Sequence, residues 1–317
     1  MFVGIDVSKC WLDIAVFTPE DGTVESFKIN NEADVVRDFI KALPGKGRKA
    51  LYCLESTGRY GETFLEVSAV LKLDTWVEHP LQLKNSMGMT RGKSDRVDAQ
   101  RIADYAYRHR DRAKLWVPES ESLAKLRKLQ SQRTMFVKVQ TQLGQCMEGV
   151  KKPDPNVNRL LKAAAASIAA VDAEIEKVIK SDLRLKRQFE LVQTVPGVGK
   201  VTAVALLLTT GGFTRMTDVR KLACYAGIAP FPYSSGSSIK RRTKVSKMGN
   251  MRLKVLFNLS AWNSIRSVPS LKAYYERKVA EGKHKMSAIN AVRNKLLAII
   301  LAVIRRDEPF AVEYSVK

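Results

Sequence analysis

The chain has 317 residues and carries 54 Lys and Arg against 32 Asp and Glu, a net charge of +22. This length accommodates two domains with buried cores, and so large a basic excess points to a polyanionic partner, most simply nucleic acid. Cys10, Cys53, Cys146 and Cys224 show no Cys-x-x-Cys spacing, which argues against a zinc site or a disulfide framework, and His79, His109 and His284 lack the context of a Ser-His-Asp hydrolase.

The first third alternates strand and helix signals. Phe2–Asp6 and Trp11–Phe17 are β-rich, Asp21-Gly22 marks a turn, and Val24–Ile29 reads as a third strand. Asn31 is placed to cap a helix over Glu32–Leu43, whose Val35, Val36, Phe39, Ile40 and Leu43 share one face. A strand over Ala50–Leu54, a helix over Gly61–Leu71, a short strand over Thr75–Val77 and a helix over Asp95–Arg108 follow. Three strands, helix, strand, helix, strand, helix is the order of a ribonuclease H-like domain, assigned here to residues 1–112. No secretory leader is expected, because the first apolar run ends at Asp6.

Four carboxylates fall at informative places in that pattern. Asp6 and Glu55 end apolar strand runs, and Asp95 and Asp98 share one face of a helix's first turn. A carboxylate at the tip of a buried strand is costly unless something binds it. Several such tips beside a helix N-terminus make an oxygen-lined pocket suited to Mg²⁺, with Mn²⁺ as the alternative, the usual apparatus for cutting phosphodiesters. Arg91 and Lys93 precede the helix in a basic loop and are candidate nucleic-acid contacts.

Residues 113–188 read as a helical arm. Apolar positions follow heptads through Leu126, Leu129, Phe136, Leu143, Met147 and Val150, with Arg133 and Gln140 in the seam. Lys151-Lys-Pro-Asp-Pro155 breaks the run, and a second continues through Leu161, Ala164, Ile168, Val171, Ile175, Val178 and Leu185. This is either a coiled-coil assembly arm or a helical linker packed on its own domain.

A mostly α-helical domain is expected over 189–317. The segment Pro196-Gly-Val-Gly-Lys200 suits a helix-hairpin-helix-like turn, in which Gly197, Gly199 and Lys200 would meet a phosphate; a purely structural turn is the alternative. Leu296–Ile304, the longest apolar stretch near the end, is too short to span a bilayer. A soluble, intracellular protein without a membrane partner is therefore expected. Residues 1–90 hold 10 Lys and Arg against 13 Asp and Glu, while 91–317 hold 44 against 19, so the basic excess lies entirely beyond the first domain's core. It is densest from Lys240, Arg241, Arg242 and Lys244 to Lys247 and Arg252, just after Ser234-Ser-Gly-Ser-Ser238. Serine needs activation by a base, a metal or a cation. The cluster is either a nucleophile whose transition state the cations stabilise or a loop that only grips phosphate, and the residues alone do not say which serine would act.

With these motifs assembled, the chain resembles the transposases of the IS-one-ten/IS-eleven-eleven insertion-sequence group, relatives of the Piv DNA invertase. The marks are Gly4-Ile-Asp6-Val-Ser-Lys9, Leu54-Glu-Ser-Thr-Gly58-Arg-Tyr60, Lys93-Ser-Asp95-Arg-Val-Asp98-Ala99, Val195-Pro-Gly-Val-Gly199, Tyr225-Ala-Gly-Ile-Ala-Pro230, Ser235-Gly-Ser-Ser238 and Ser246-Lys-Met-Gly249 with Arg252. The resemblance implies a RuvC-like domain whose catalytic carboxylates are Asp6, Glu55, Asp95 and Asp98, a coiled-coil arm, and a C-terminal domain whose nucleophile is Ser235, with Ser234 as its rival. It also implies a homo-oligomer, dimer or tetramer, that is guided by a structured bridge RNA pairing with donor and target DNA in the bacterial cytoplasm. The competing reading is a metal-dependent, structure-specific nuclease without covalent serine chemistry.

Overall fold

The computed structural model describes residues 1–56, 58–86, 94–150, 154–235, 239–246 and 248–311, with 46, 233–235 and 239–242 described in backbone only. Two compact units divide the chain, Met1–Pro118 and Glu119–Lys317.

The first unit is a mixed five-stranded sheet with helices. Strands β1 (Phe2–Val7), β2 (Trp11–Thr18) and β3 (Thr23–Asn30) form an antiparallel meander. Helix α1 (Ala33–Ala42) leads to β4 (Leu51–Glu55), α2 (Glu62–Leu71) to β5 (Asp74–Glu78), and α3 (Pro80–Ser86) and α4 (Asp95–Arg108) follow. β4 joins β1 in parallel and β5 joins β4 in parallel, giving the order β3-β2-β1-β4-β5. One sheet face packs Val3, Ile5, Leu12, Ile14, Tyr52 and Leu54 against Val36 and Ile40 of α1 and Phe64 and Val67 of α2. Each such side chain contributes about 1.5–3 kcal/mol by burial. Asn31 does not cap α1: its Nδ2 donates to the carbonyls of Ser8 and Tyr60, and Glu32 stands at the cap position without a side-chain bond. Those two bonds fix the amide's orientation, and its Oδ1, the atom a cap would use, accepts no hydrogen bond.

In the second unit, α5 (Glu121–Cys146) and α6 (Pro155–Ser181) pack as an antiparallel pair. Arg133, in the apolar seam of α5, is held by Asp172 of α6 at 2.6 and 3.2 Å. α7 (Leu183–Thr194) and α8 (Lys200–Thr210) follow, then α9 (Val219–Tyr225), a hairpin of β6 (Pro230–Ser235) and β7 (Ile239–Val245), and α10 (Met251–Ser267), α11 (Pro269–Ala280) and α12 (Lys285–Arg306). Leu123 and Leu126 of α5 and Val171, Ile175, Val178 and Ile179 of α6 share one core with α7, α8, α9 and α12. The second heptad run does not reach Leu185 within one helix. Asp182 accepts from the backbone N–H groups of Arg184 and Leu185, which caps α7 and ends α6. Leu296–Ile304 belongs to the longer α12, which by length and composition alone is sufficient to cross a bilayer. Its buried Ala288, Leu296, Leu297, Ile300 and Leu301 instead sit in the interior of this unit.

Candidate active site

At Gly4, midway along β1, the strand meets α4 with no side chain between them. A Cβ on Gly4 would overlap the backbone nitrogen of Ala103 and the carbonyl oxygen of Ala99, so the helix lies directly on the strand. Ala15, opposite Gly4 on β2, completes a patch of small residues with Ala99 and Ala103. This close approach brings the first turn of α4 to the end of β1 that carries Asp6. Ser94 caps that turn, accepting from the Val97 N–H, and the helix N-terminus favours the negative charge of Asp95 and Asp98.

Asp6 and Glu55 stand at the carboxyl ends of the parallel neighbours β1 and β4, a place where open α/β sheets bind ligands. Burial, followed by the charges of Asp95, Asp98, Glu55 and Asp13, pushes the Asp6 carboxyl up to about 6. The other three sequence-selected carboxylates, Glu55, Asp95 and Asp98, thus all act on Asp6. Asp98 is paired with Arg101 at 2.8 Å, and among the described residues no three acidic, His or Cys side chains are arranged to hold one metal ion. The four carboxylates nonetheless offer only oxygen donors, the chemistry of a hard divalent cation.

Ser234 and Ser235 lie on a strand rather than in a loop, while Gly236, Ser237 and Ser238 lie outside the described residues. β6 and β7 pair antiparallel, with Ser235 opposite Ile239 and Ser234 opposite Lys240, and a bulge interrupts the register between Phe231 and Tyr233. Ser235 is the last residue of β6, and Lys240, Arg241, Arg242 and Lys244 all lie on β7. A basic strand therefore runs beside the serines.

Residues 3–150 match a family model of DEDD type for IS110, described as Transposase, and residues 189–276 match one described as Transposase IS116/IS110/IS902 family. The chain carries two domains of IS110-type transposases. It is 28% identical over 319 residues to the pilin gene-inverting protein of Moraxella lacunata, covering 98% of this chain and 97% of that protein. The 43.6 kDa protein of insertion element IS110 from Streptomyces coelicolor is 32% identical over 149 residues, 46% of this chain and 36% of that protein. The transposase for insertion sequence element IS1111A from Coxiella burnetii is 26% identical over 162 residues, 49% and 44% of the two chains. An enzyme of DNA recombination is what these matches and the two family domains establish.

The remaining sequence-selected residues of the transposase are spread more widely. In the turn between α7 and α8, a Cβ on Gly197 would overlap Ser264 and the Ser260 carbonyl of α10, so this glycine is required by packing. Gly199 caps α8 with open space around it, and the Lys200 ammonium is bonded to Glu176 of α6. Arg252 donates to Thr134 Oγ1 at 2.6 Å, and burial holds its pKa below the usual arginine range. Arg91, Lys93 and Lys247 lie outside the described residues.

Two carboxylates of the first unit escaped the sequence reading. Asp13 faces Asp6 across β1 and β2, is 7% exposed, and has Lys28 at 3.6 Å. Its signal was an aspartate inside the apolar run Leu12–Val16. Glu78 ends β5 level with Glu55 and accepts from the Tyr105 hydroxyl at 3.0 Å; burial pushes that phenol up to about 12.

Proposed function

We propose that this transposase cuts and exchanges DNA strands at two groups, the carboxylates Asp6, Glu55, Asp95 and Asp98 and the nucleophile Ser235. The observation that carries the reading is the placement of Asp6 at the end of β1 beside the α4 N-terminus, where burial and the charges of Glu55, Asp95 and Asp98 all raise its carboxyl. The strand order, with its antiparallel meander followed by two parallel strands, supports a ribonuclease H-like, RuvC-like domain. Bound at these carboxylates, a divalent cation, Mg²⁺ or Mn²⁺, supplies positive charge against a scissile phosphate. Asp6, Glu55, Asp95 and Asp98 would hold the cation, with Asp6 ionised and Asp98 released from Arg101. Ser235 attacks phosphorus, its Oγ–P bond replacing the bond to a DNA hydroxyl, which leaves with a proton. A hydroxyl of the new partner strand reverses the step, so the ester carries the bond energy without ATP. The cations of β7 stabilise the added negative charge.

The full-length match to a pilin gene-inverting protein supports site-specific exchange rather than simple hydrolysis. Resemblance to the insertion-sequence group adds a structured bridge RNA whose pairing selects donor and target DNA, while the protein holds backbone and shape. The α7–α8 turn, with Gly199 open at the α8 cap, supports a helix-hairpin-helix-like phosphate contact. Assembly through α5 and α6 as a coiled-coil arm is supported by Met135, Val139 and Leu160, which remain exposed.

The test incubates the protein and its co-expressed element RNA with labelled donor and target DNA plus Mg²⁺, followed by a denaturing gel. An adduct formed by wild type and lost in Ser235→Ala is expected. Clean hydrolytic cutting, unchanged by that substitution, would make the protein a metal-dependent nuclease.

A further inference from the structure

The C-terminal unit contains a cleft of about 1600 Å³ between α10, α11, α12 and the base of the β6–β7 hairpin. Its volume exceeds the ~300–1,000 Å³ of ordinary small-molecule pockets, as expected of a groove for a polymer. Among the described residues five cations line it, Lys254, Arg277, Lys283, Arg293 and Lys295, and none that lines it is acidic. Lys254 and Lys295 form no ion pair among the described residues, whereas Arg277 and Lys283 have only Glu281, at 3.8 and 3.9 Å.

Arg293 is the most informative of the five. It is only 5% exposed, and no carboxylate meets it: Nη2 donates to Asn258 and Nη1 to Asn290 at 3.5 Å. Its Nε is buried with no hydrogen-bond partner. A buried guanidinium held only by amide oxygens costs stability, and a lining position lets an anion from outside relieve that cost. Tyr274 lies on the same wall, its ring centroid 4.9 Å from Lys295 Nζ and 5.4 Å from Arg277 Cζ. A half-buried aromatic face with cations beside it is the arrangement on which an unstacked base sits while its phosphates are neutralised.

We propose that this cleft is a binding site for single-stranded nucleic acid, with phosphates at Lys254, Arg293 and Lys295 and one base stacked on Tyr274. It rests on the transposase reading only for the identity of the polyanion. None of its residues was among the sequence-selected nucleic-acid contacts. RNA and DNA strands share the chemistry, and the experiment separates them.

Fluorescence anisotropy of the full chain is measured with fluorescein-labelled single strands of about 12 nucleotides, as RNA and as DNA of the same sequence, and with duplex DNA. The variants are Tyr274→Leu, Tyr274→Phe and the double substitution Lys254→Ala with Lys295→Ala, each checked for unchanged melting. Tyr274→Leu is expected to weaken single-strand binding about tenfold, with Tyr274→Phe near wild type, because stacking needs the ring and not the hydroxyl. The double variant is expected to lower the salt slope by about 1.4, at ~0.7 per phosphate contact. Whichever of the RNA and DNA arms loses more identifies the strand.

Unchanged affinity and slope in the double variant, or equal effects of Leu and Phe at Tyr274, would overturn the proposal. Adduct formation is followed on the same samples. A wild-type adduct with cleft variants that bind normally refutes the cleft and leaves the chemistry. Cleft-dependent binding with no adduct supports the cleft and refutes the chemistry.

Discussion

In the first unit Asp6 is crowded by Asp13, Glu55, Asp95 and Asp98, with Lys28 on Asp13 and Arg101 on Asp98. In the second, Arg293 is buried among asparagines, and the cleft it lines holds cations and, among the described residues, no carboxylate. Folding ordinarily pairs buried charge within the molecule, because leaving it unpaired costs stability. Each unit instead keeps an excess of one sign, and the two excesses are opposite. The acidic one calls for a small hard cation, the basic one for a chain of phosphates, and a strand-exchanging enzyme needs both.

The comparison breaks most readily at the acidic site. Asp6→Asn, Glu55→Gln or Asp98→Asn is expected to reduce strand cleavage about 10³-fold or more, with nucleic-acid binding retained in an anisotropy assay. Loss of binding would instead give these carboxylates a structural role. Gly4→Val drives a branched side chain into the backbone of α4, with an expected cost of about 3 kcal/mol in urea unfolding and loss of cleavage because the carboxylates no longer converge.

The pH dependence of stability sharpens the same point. Folded Asp6 holds its proton up to about pH 6, above the ordinary aspartate value. Its contribution to metal-free stability is therefore full below about pH 4 and lost as pH rises through about 6. Discounted for partial exposure, the loss is about 1–2 kcal/mol, measured by urea unfolding with chelator at pH 5 and pH 8. Asp6→Asn is expected to flatten that dependence and to be the more stable protein at pH 8. The smallest effect belongs to the helical pair. Asp172→Ala frees Arg133 from a partly exposed ion pair and is expected to cost about 1 kcal/mol in the same assay.

Much of this was legible in the residues because the first unit follows simple rules. Its strands are apolar and bounded by Asp21-Gly22 and similar turns, and Asp6 and Glu55 stand out by ending such runs. Asp13 was missed because strand pairing, not chain order, places it against Asp6. The β6–β7 hairpin was missed for a different reason. Ser, Lys and Arg give no apolar alternation, so a strand built from Ile239-Lys-Arg-Arg-Thr-Lys-Val245 looks like a loop. Asp182 ended a heptad run that apolar periodicity alone carried through to Leu185, since a capping bond to the next helix outweighs one more apolar position. The cleft around Arg293 could not be read at all, because it joins residues from three helices and a hairpin.

The most direct test is calorimetric titration of the wild-type protein and Asp6→Asn with Mn²⁺, in two buffers of different protonation enthalpy at pH 6. Binding by wild type that releases a fraction of a proton, and that is lost in Asp6→Asn, is the expected result. Equal binding by both proteins, or none by either, would contradict a metal site built on the four carboxylates.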